Sequence, residues 1–267
     1  MAAKTPNLTL YTAQTPNGTK ISIALSILNL PYKVHPLNLA THEQKLPWFT
    51  AINPNGRLPA LTDHSPPFPS SSSSSSPPEP LHIMESGAIL LYLVSNYDTS
   101  QKLSFSKDSK EHWEMVQWVF WQNAGLGPMQ GQSNHFVRYS PEKIPYAVGR
   151  YVNESRRLYT VLEGRLKEQE EKRGSGWIVG DHVSIADITV WCWAIYAEWG
   201  GIGLEGFERV RKWRERVAGV EGVEEGRNVP EPSGLRDADL GDEVLVRGYV
   251  EGSRKWILEG MRRDAEA

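Results

Sequence analysis

Cysteine is nearly missing from this chain of 267 residues: Cys192 stands alone. A disulfide within the chain is therefore excluded, which fits a reducing compartment. Long apolar runs are missing as well. No stretch of ~18 apolar residues exists to span a membrane, and no early apolar run has the length of a signal peptide. Strong charge of either sign is absent, because the formal net charge is only −3. Nothing in the net charge argues for nucleic acid or an anionic membrane surface as a partner. There is no Walker-type glycine loop, no pair of histidines at metal spacing, and no Ser-His-Asp order of a hydrolase. No metal or nucleotide cofactor is expected, and the expected setting is cytoplasmic.

What is present suits one large or two modest globular domains. Leu8–Thr12 alternates like a strand, and Thr15-Pro16-Asn17-Gly18 has the composition of a turn. From Lys20 to Leu30, apolar residues recur at helical spacing, and Tyr32–Leu37 reads as a second strand ending near an edge at Pro36. A short helix broken by Pro47 is expected over Glu43–Ala51. Arg57–Leu61 and Leu81–Met84 read as two further strands, and Glu85-Ser86-Gly87 opens an apolar helix running to Val94. The order β-α-β-α-β-β-α is the thioredoxin-like layout over residues 1–97. Within it, 65–80 is rich in Ser and Pro, with seven serines in a row, and reads as a mobile surface loop.

Residues 98–107 read as a linker to an all-helical domain over 108–232. Helices are expected over Ser109–Asn123, with a kink or break at Gly125–Pro128, then over Ile144–Lys172, after Ser184, and over Phe207–Val217. Ser184 and Asp187 have capping-box spacing, which makes Asp187 structural. Cys192 falls in the nearly all-apolar helix that follows and reads as a small buried thiol. An extension over 233–267 is expected to be partly helical, with Val244, Leu245, Tyr249, Trp256 and Leu258 available for packing.

Two runs carry chemistry. In Asn53–His64, Pro59 lacks an amide hydrogen and stands at the mouth of a strand, where a cis bond is often found. Such a bond would present the backbone of Leu58 to a peptide-like ligand. In Leu81–Tyr92, the helix start at Glu85-Ser86 is a ready place for a carboxylate. Side by side, these make a site for a small acidic peptide.

These runs, LPAL and ESGAI, resemble the glutathione site of the glutathione S-transferase superfamily. TPNG at Thr15–Gly18, GLGPMQGQ at Gly125–Gln132, RY at Arg150–Tyr151 and SIADI at Ser184–Ile188 are similar to the fungal nitrogen-regulator-like subgroup and the bacterial Nu class. The resemblance implies a thioredoxin-like N-terminal domain, an all-helical C-terminal domain and a homodimer. It also implies glutathione as co-substrate or catalyst. By it, Asn17 and Thr15 touch the sulfur; as plain structure, Asn17 caps a helix, and the two roles are compatible. Leu58 and Pro59 would pair with the cysteinyl unit, Glu85 and Ser86 would hold the γ-glutamyl end, and Gln44 and Arg150 would reach carboxylates. Trp121, Gln130, Gln132, His135 and Phe136 are the candidates for a substrate pocket. Tyr11 reads as a packed strand aromatic. The implied reaction adds the glutathione thiolate to a hydrophobic electrophile such as a polarised alkene. The alternative is cis/trans isomerisation of a double bond by addition, rotation and elimination, in a fungal biosynthetic pathway. Glutathione-dependent disulfide reduction and a non-catalytic regulator stand behind these.

Overall fold

The computed structural model describes residues 6–68, 79–234 and 240–266. Most of the serine-rich loop, 69–78, lies outside the described residues, as does the segment 235–239. The described chain forms two compact units, Met1–Leu103 with Glu221–Pro232, and Ser104–Val220 with Ser233–Ala267. No helix among the described residues is long and apolar enough to cross a membrane.

The first unit holds four strands, β1 (Leu8–Thr12), β2 (Tyr32–Pro36), β3 (Ala60–Asp63) and β4 (Leu81–Met84), in the order β2-β1-β3-β4. β1 runs parallel to β2 and antiparallel to β3, and β3 is antiparallel to β4. All four residues of β3 are buried, as suits a central strand covered on both faces. Register places Tyr11 opposite Ala60 and Ala60 opposite Met84. The end of β1, the start of β3 and the end of β4 therefore meet along one margin of the sheet. At the opposite margin, the buried Asp63 carboxylate accepts hydrogen bonds from Tyr92 Oη at 2.7 Å, from Tyr97 Oη and from the Ser65 amide at 2.8 Å.

Helix α1 spans Pro16–Ile27 rather than starting at Lys20. Thr15 is its N-cap, accepting from the Gly18 amide at 3.1 Å, and Pro16 stands in its first turn. That is where proline is tolerated, because its missing N–H has no intrahelical partner to lose. Gly18 permits close approach: a Cβ there would stand 2.2 Å from Thr12 Oγ1. The expected helix over 43–51 is two 3₁₀ turns, Leu39–Thr41 and Glu43–Lys45, and a short helix α2 (Pro47–Thr50). The third strand starts at Ala60, not Arg57, because 53–57 closes into a loop. Asn53 Nδ2 donates to the Arg57 carbonyl at 2.7 Å, and Asn53 Oδ1 accepts from the Asn55 amide at 3.0 Å. Helix α3 covers Ser86–Tyr97.

In the second unit the kink or interruption expected at Gly125–Pro128 takes the form of a π turn. Helix α4 (Lys110–Trp121) passes through a π turn (Gln122–Leu126) into α5 (Gly127–Asn134), which ends in a second π turn (His135–Tyr139). Helix α6 covers Pro145–Arg173 and stops at Gly174, whose φ is 62°. Helix α7 (Ile185–Ala194) starts from the expected capping box. Asp187 is fully buried and accepts from the Ser184 and Ile178 amides at 3.0 Å and from Trp213 Nε1 at 2.8 Å. Cys192 is buried in the same helix. Helix α8 spans Glu208–Ala218. Helix α10 (Glu243–Glu266) has no fully buried residue; Val244 is 83% exposed, whereas Trp256 and Leu258 are half-buried. Tyr249 does pack, edge-on against Trp199 at 5.6 Å.

A further helix, α9 (Val223–Arg227), belongs to the first unit and packs on α1. Gly226 makes this possible, because a Cβ there would lie 2.4 Å from Ile23 Cα. Ser22 Oγ donates to the Gly226 carbonyl at 2.7 Å, and Gln14 Nε2 donates to the Arg227 carbonyl at 3.0 Å. Gly226→Val must therefore separate the two helices. Urea denaturation is expected to show a loss of at least about 1–3 kcal/mol, the usual range for overpacking; Gly234→Val, an exchange in open space, serves as the control.

Candidate functional site

A cavity of about 330 Å³ opens in the first unit, lined by Asn17, Asn53, Asn55, Arg57, Leu58, Pro59, Glu85 and Ser86. Sheet register explains the meeting. Asn17 follows β1, Leu58 and Pro59 precede β3, and Glu85 and Ser86 follow β4. The Leu58–Pro59 peptide is cis. Leu58 is half-buried and packs against Leu37, Phe49 and Ala60.

Ser86 is the first residue of α3 and is buried, at a helix start whose first amides have no intrahelical partner. Glu85, before it, has φ 69° and ψ 118°. Side-chain-bearing residues rarely adopt that backbone, and such strain costs about 1–3 kcal/mol and gathers at functional sites. Glu85 makes no capping bond to the helix, is exposed and lines the cavity. The cavity thus carries a carboxylate and a helix N-terminus at one part and the exposed Arg57 guanidinium at another. Such an arrangement suits a ligand with both charges.

Five residues of the sequence reading, Asn17, Leu58, Pro59, Glu85 and Ser86, are brought together here. Thr15 does not line the cavity; it caps α1, two residues before Asn17, which was expected to cap. Asn17 is instead the second residue of that helix. Gln44 is buried near the loop at Gly56 and does not line the cavity. Tyr11 packs with His35, Trp48 and Phe49, as a strand aromatic should.

The other candidates lie in the second unit. Arg150 is an exposed residue of α6. Gln130 is fully buried, and both ends of its amide serve the core: Nε2 donates to the Trp193 carbonyl and Oε1 accepts from Tyr159 Oη, each at 2.8 Å. Its expected place in a substrate pocket is therefore corrected. Gln132 is exposed. Trp121 packs against Trp118 at 4.8 Å, and Phe136 stacks on Tyr151 at 5.5 Å. His135 is half-buried beside Phe136, and desolvation pushes its pKa below the usual histidine value.

The sequence reading missed Asn53, Asn55 and Arg57 as lining residues, and it missed Lys20. The Lys20 ammonium is buried, and Nζ donates to Ser86 Oγ at 3.1 Å. One signal was available: Lys20 is the only charged residue in the helix PNGTKISIALSI.

Residues 6–95 match the family model of the glutathione S-transferase N-terminal domain, and 145–221 match that of the C-terminal domain. The chain belongs to the glutathione S-transferase family. It is 40% identical to the disulfide-bond oxidoreductase YfcG of Escherichia coli K12, over 88% of this chain and 97% of that one. Among solved structures, the glutathione transferase homologue from Lodderomyces elongisporus, with two glutathione per subunit, superposes with TM-score 0.75. The two are 35% identical, over 84% of this chain and 99% of the other. Ure2p in complex with S-hexylglutathione gives TM-score 0.73 at 35% identity, covering 82% and 97%. These likenesses place the chain in the Ure2-like subgroup and match its thioredoxin-like and all-helical parts.

The strain at Glu85 yields a test. Glu85→Gly is expected to stabilise the protein by about 1 kcal/mol in urea denaturation, since glycine tolerates the positive φ. Glu85→Ala, which keeps the strain, is expected to give no such gain.

Proposed function

We propose that this protein is a glutathione-dependent enzyme that holds the glutathione thiolate and transfers it to a hydrophobic electrophile. The observation that carries the reading is the single cavity joining the Leu58–Pro59 backbone to Glu85, Ser86 and Asn17. The Glu85 carboxylate would face the ligand ammonium, and Ser86 with the α3 N-terminus would face the γ-glutamyl carboxylate. The Leu58 backbone would pair with the cysteinyl unit. That pose directs the sulfur toward the first turn of α1, where Asn17 lines the cavity. A free thiol has a pKa of about 8.5, and a donor beside a helix N-terminus lowers it. Thr15 Oγ1 already accepts from the Gly18 amide, so its hydroxyl proton can serve a second acceptor. Arg57 is an added candidate for the glycyl carboxylate.

A second reading is glutathione-dependent disulfide reduction. The name of the Escherichia coli relative favours it. So does the chain itself, whose one cysteine is buried and offers no thiol of its own. The bound thiolate would attack one sulfur of a disulfide and release the other as a thiolate. A second glutathione would then resolve the mixed disulfide, leaving glutathione disulfide. We further propose a homodimer, which accords with Trp113 and Phe120, 62% and 59% exposed along one side of α4.

With glutathione and an aryl halide, steady thioether formation is expected; with a small dialkyl disulfide, glutathione disulfide formation marks the second reading. Isomer interconversion at constant glutathione would mark isomerisation instead. Asn17→Ala is expected to lower kcat about 100-fold, the effect of removing one donor to a developing anion. The glutathione KM should stay near wild type. Unchanged kcat would remove Asn17 from the reaction.

A further inference from the structure

Lys20 stands out among the residues that the proposed chemistry does not use. Its ammonium is 1% exposed, and it sits on a helix with no other charge. Burying an ammonium costs several kcal/mol unless acceptors compensate it. One acceptor is the hydroxyl of Ser86, a cavity-lining residue, at 3.1 Å. The two residues are 66 apart in sequence, so the contact is built by the fold and not by local chain geometry.

The direction of this hydrogen bond matters. An ammonium has three donors and no acceptor, whereas a hydroxyl has one donor and two acceptor lone pairs. Lys20 can only donate, so it occupies a lone pair of Ser86 Oγ. The hydroxyl proton must then point away from Lys20, where it can be given only to an acceptor. One lone pair of Ser86 Oγ remains, but the buried positive charge beside it disfavours a cationic donor there, while an anionic oxygen finds a donor backed by that charge. Hydrogen bonds chained in this way polarise one another in a low-dielectric setting.

We propose that Lys20 is a positioning residue that fixes Ser86 as a donor and makes this corner of the cavity selective for a carboxylate, the one on the γ-glutamyl end. The inference rests on the glutathione reading above. The neighbouring Glu85 carboxylate would repel an anion placed without compensation. Lys20 supplies that compensation through Ser86, so the amine and the carboxylate of one α-amino acid head can be held side by side.

The test compares two ligands on the full-length protein by calorimetry. One is glutathione; the other is the same peptide with its γ-glutamyl unit replaced by 4-aminobutyryl, which keeps the amine and lacks the carboxylate. Wild-type protein should prefer glutathione strongly. Lys20→Met keeps the length of the side chain and removes its charge, and it should cut that preference about tenfold or more, the size of a hydrogen bond to a charged group. Affinity for the analogue should be the same in both proteins. Ser86→Ala added to Lys20→Met should lower glutathione affinity little further. Lys20→Gln and a thermal unfolding curve for each variant keep the comparison among folded proteins. Equal losses for both ligands would reduce Lys20 to a scaffold residue and overturn the proposal. So would unchanged glutathione affinity in Lys20→Met. Wild-type protein that binds neither ligand would instead overturn the glutathione reading, and the inference with it.

Discussion

Everything chemical in the first unit depends on the pairing row Tyr11, Ala60, Met84 across three strands. Because β3 runs against both neighbours, its beginning lies beside their ends. The loop that follows β1, the Leu58–Pro59 step and the Glu85–Ser86 corner are thereby forced to one margin. A register slip of one residue would turn the buried side chains of β3 to the other face. It would also carry Pro59 away from Ser86. Side chains at the opposite margin reinforce the row: Asp63, at the far end of β3, receives Tyr92 and Tyr97 from α3.

Onto that row the helices bring their ends. α1 presents its first turn through a Thr15 cap and a glycine whose missing side chain lets the helix lie on Thr12. α3 presents its own first turn through a strained Glu85. The buried Lys20 joins the two helices through Ser86. Behind α1, the segment around α9 returns from the far end of the chain and holds the helix through Ser22 and Gln14. The first turn of α1 is thus held by its own cap and by contacts to the segment around α9.

Much of this was legible in the sequence, and for stated reasons. Strand alternation in Leu8–Thr12 and the run Leu81–Met84 gave strands with the bounds observed. Lys172-Arg173-Gly174 and the Ser184 box gave helix ends, because caps are local chemistry. What failed was non-local or permissive. Gly125 and Pro128 signal an interruption, but not its form, a π turn over Gln122–Leu126 that passes directly into α5 with Pro128 in its first turn. Gln130 looks like a polar pocket residue until Tyr159 and Trp193 are folded against it. Asn53 shapes the Leu58 step only through a loop closed by its own side chain. Lys20 was visible as an odd charge in a neutral helix, but its partner lies far along the chain.

The account stands on a cradle that keeps a bound thiol ionised. The most direct measurement is the ultraviolet absorption of the glutathione thiolate, titrated against pH in the complex with wild-type protein and in buffer. The account predicts that the bound thiol loses its proton at distinctly lower pH than the free tripeptide, and that Asn17→Ala returns the titration toward the free curve. A complex whose thiol titrates as it does in buffer would contradict it.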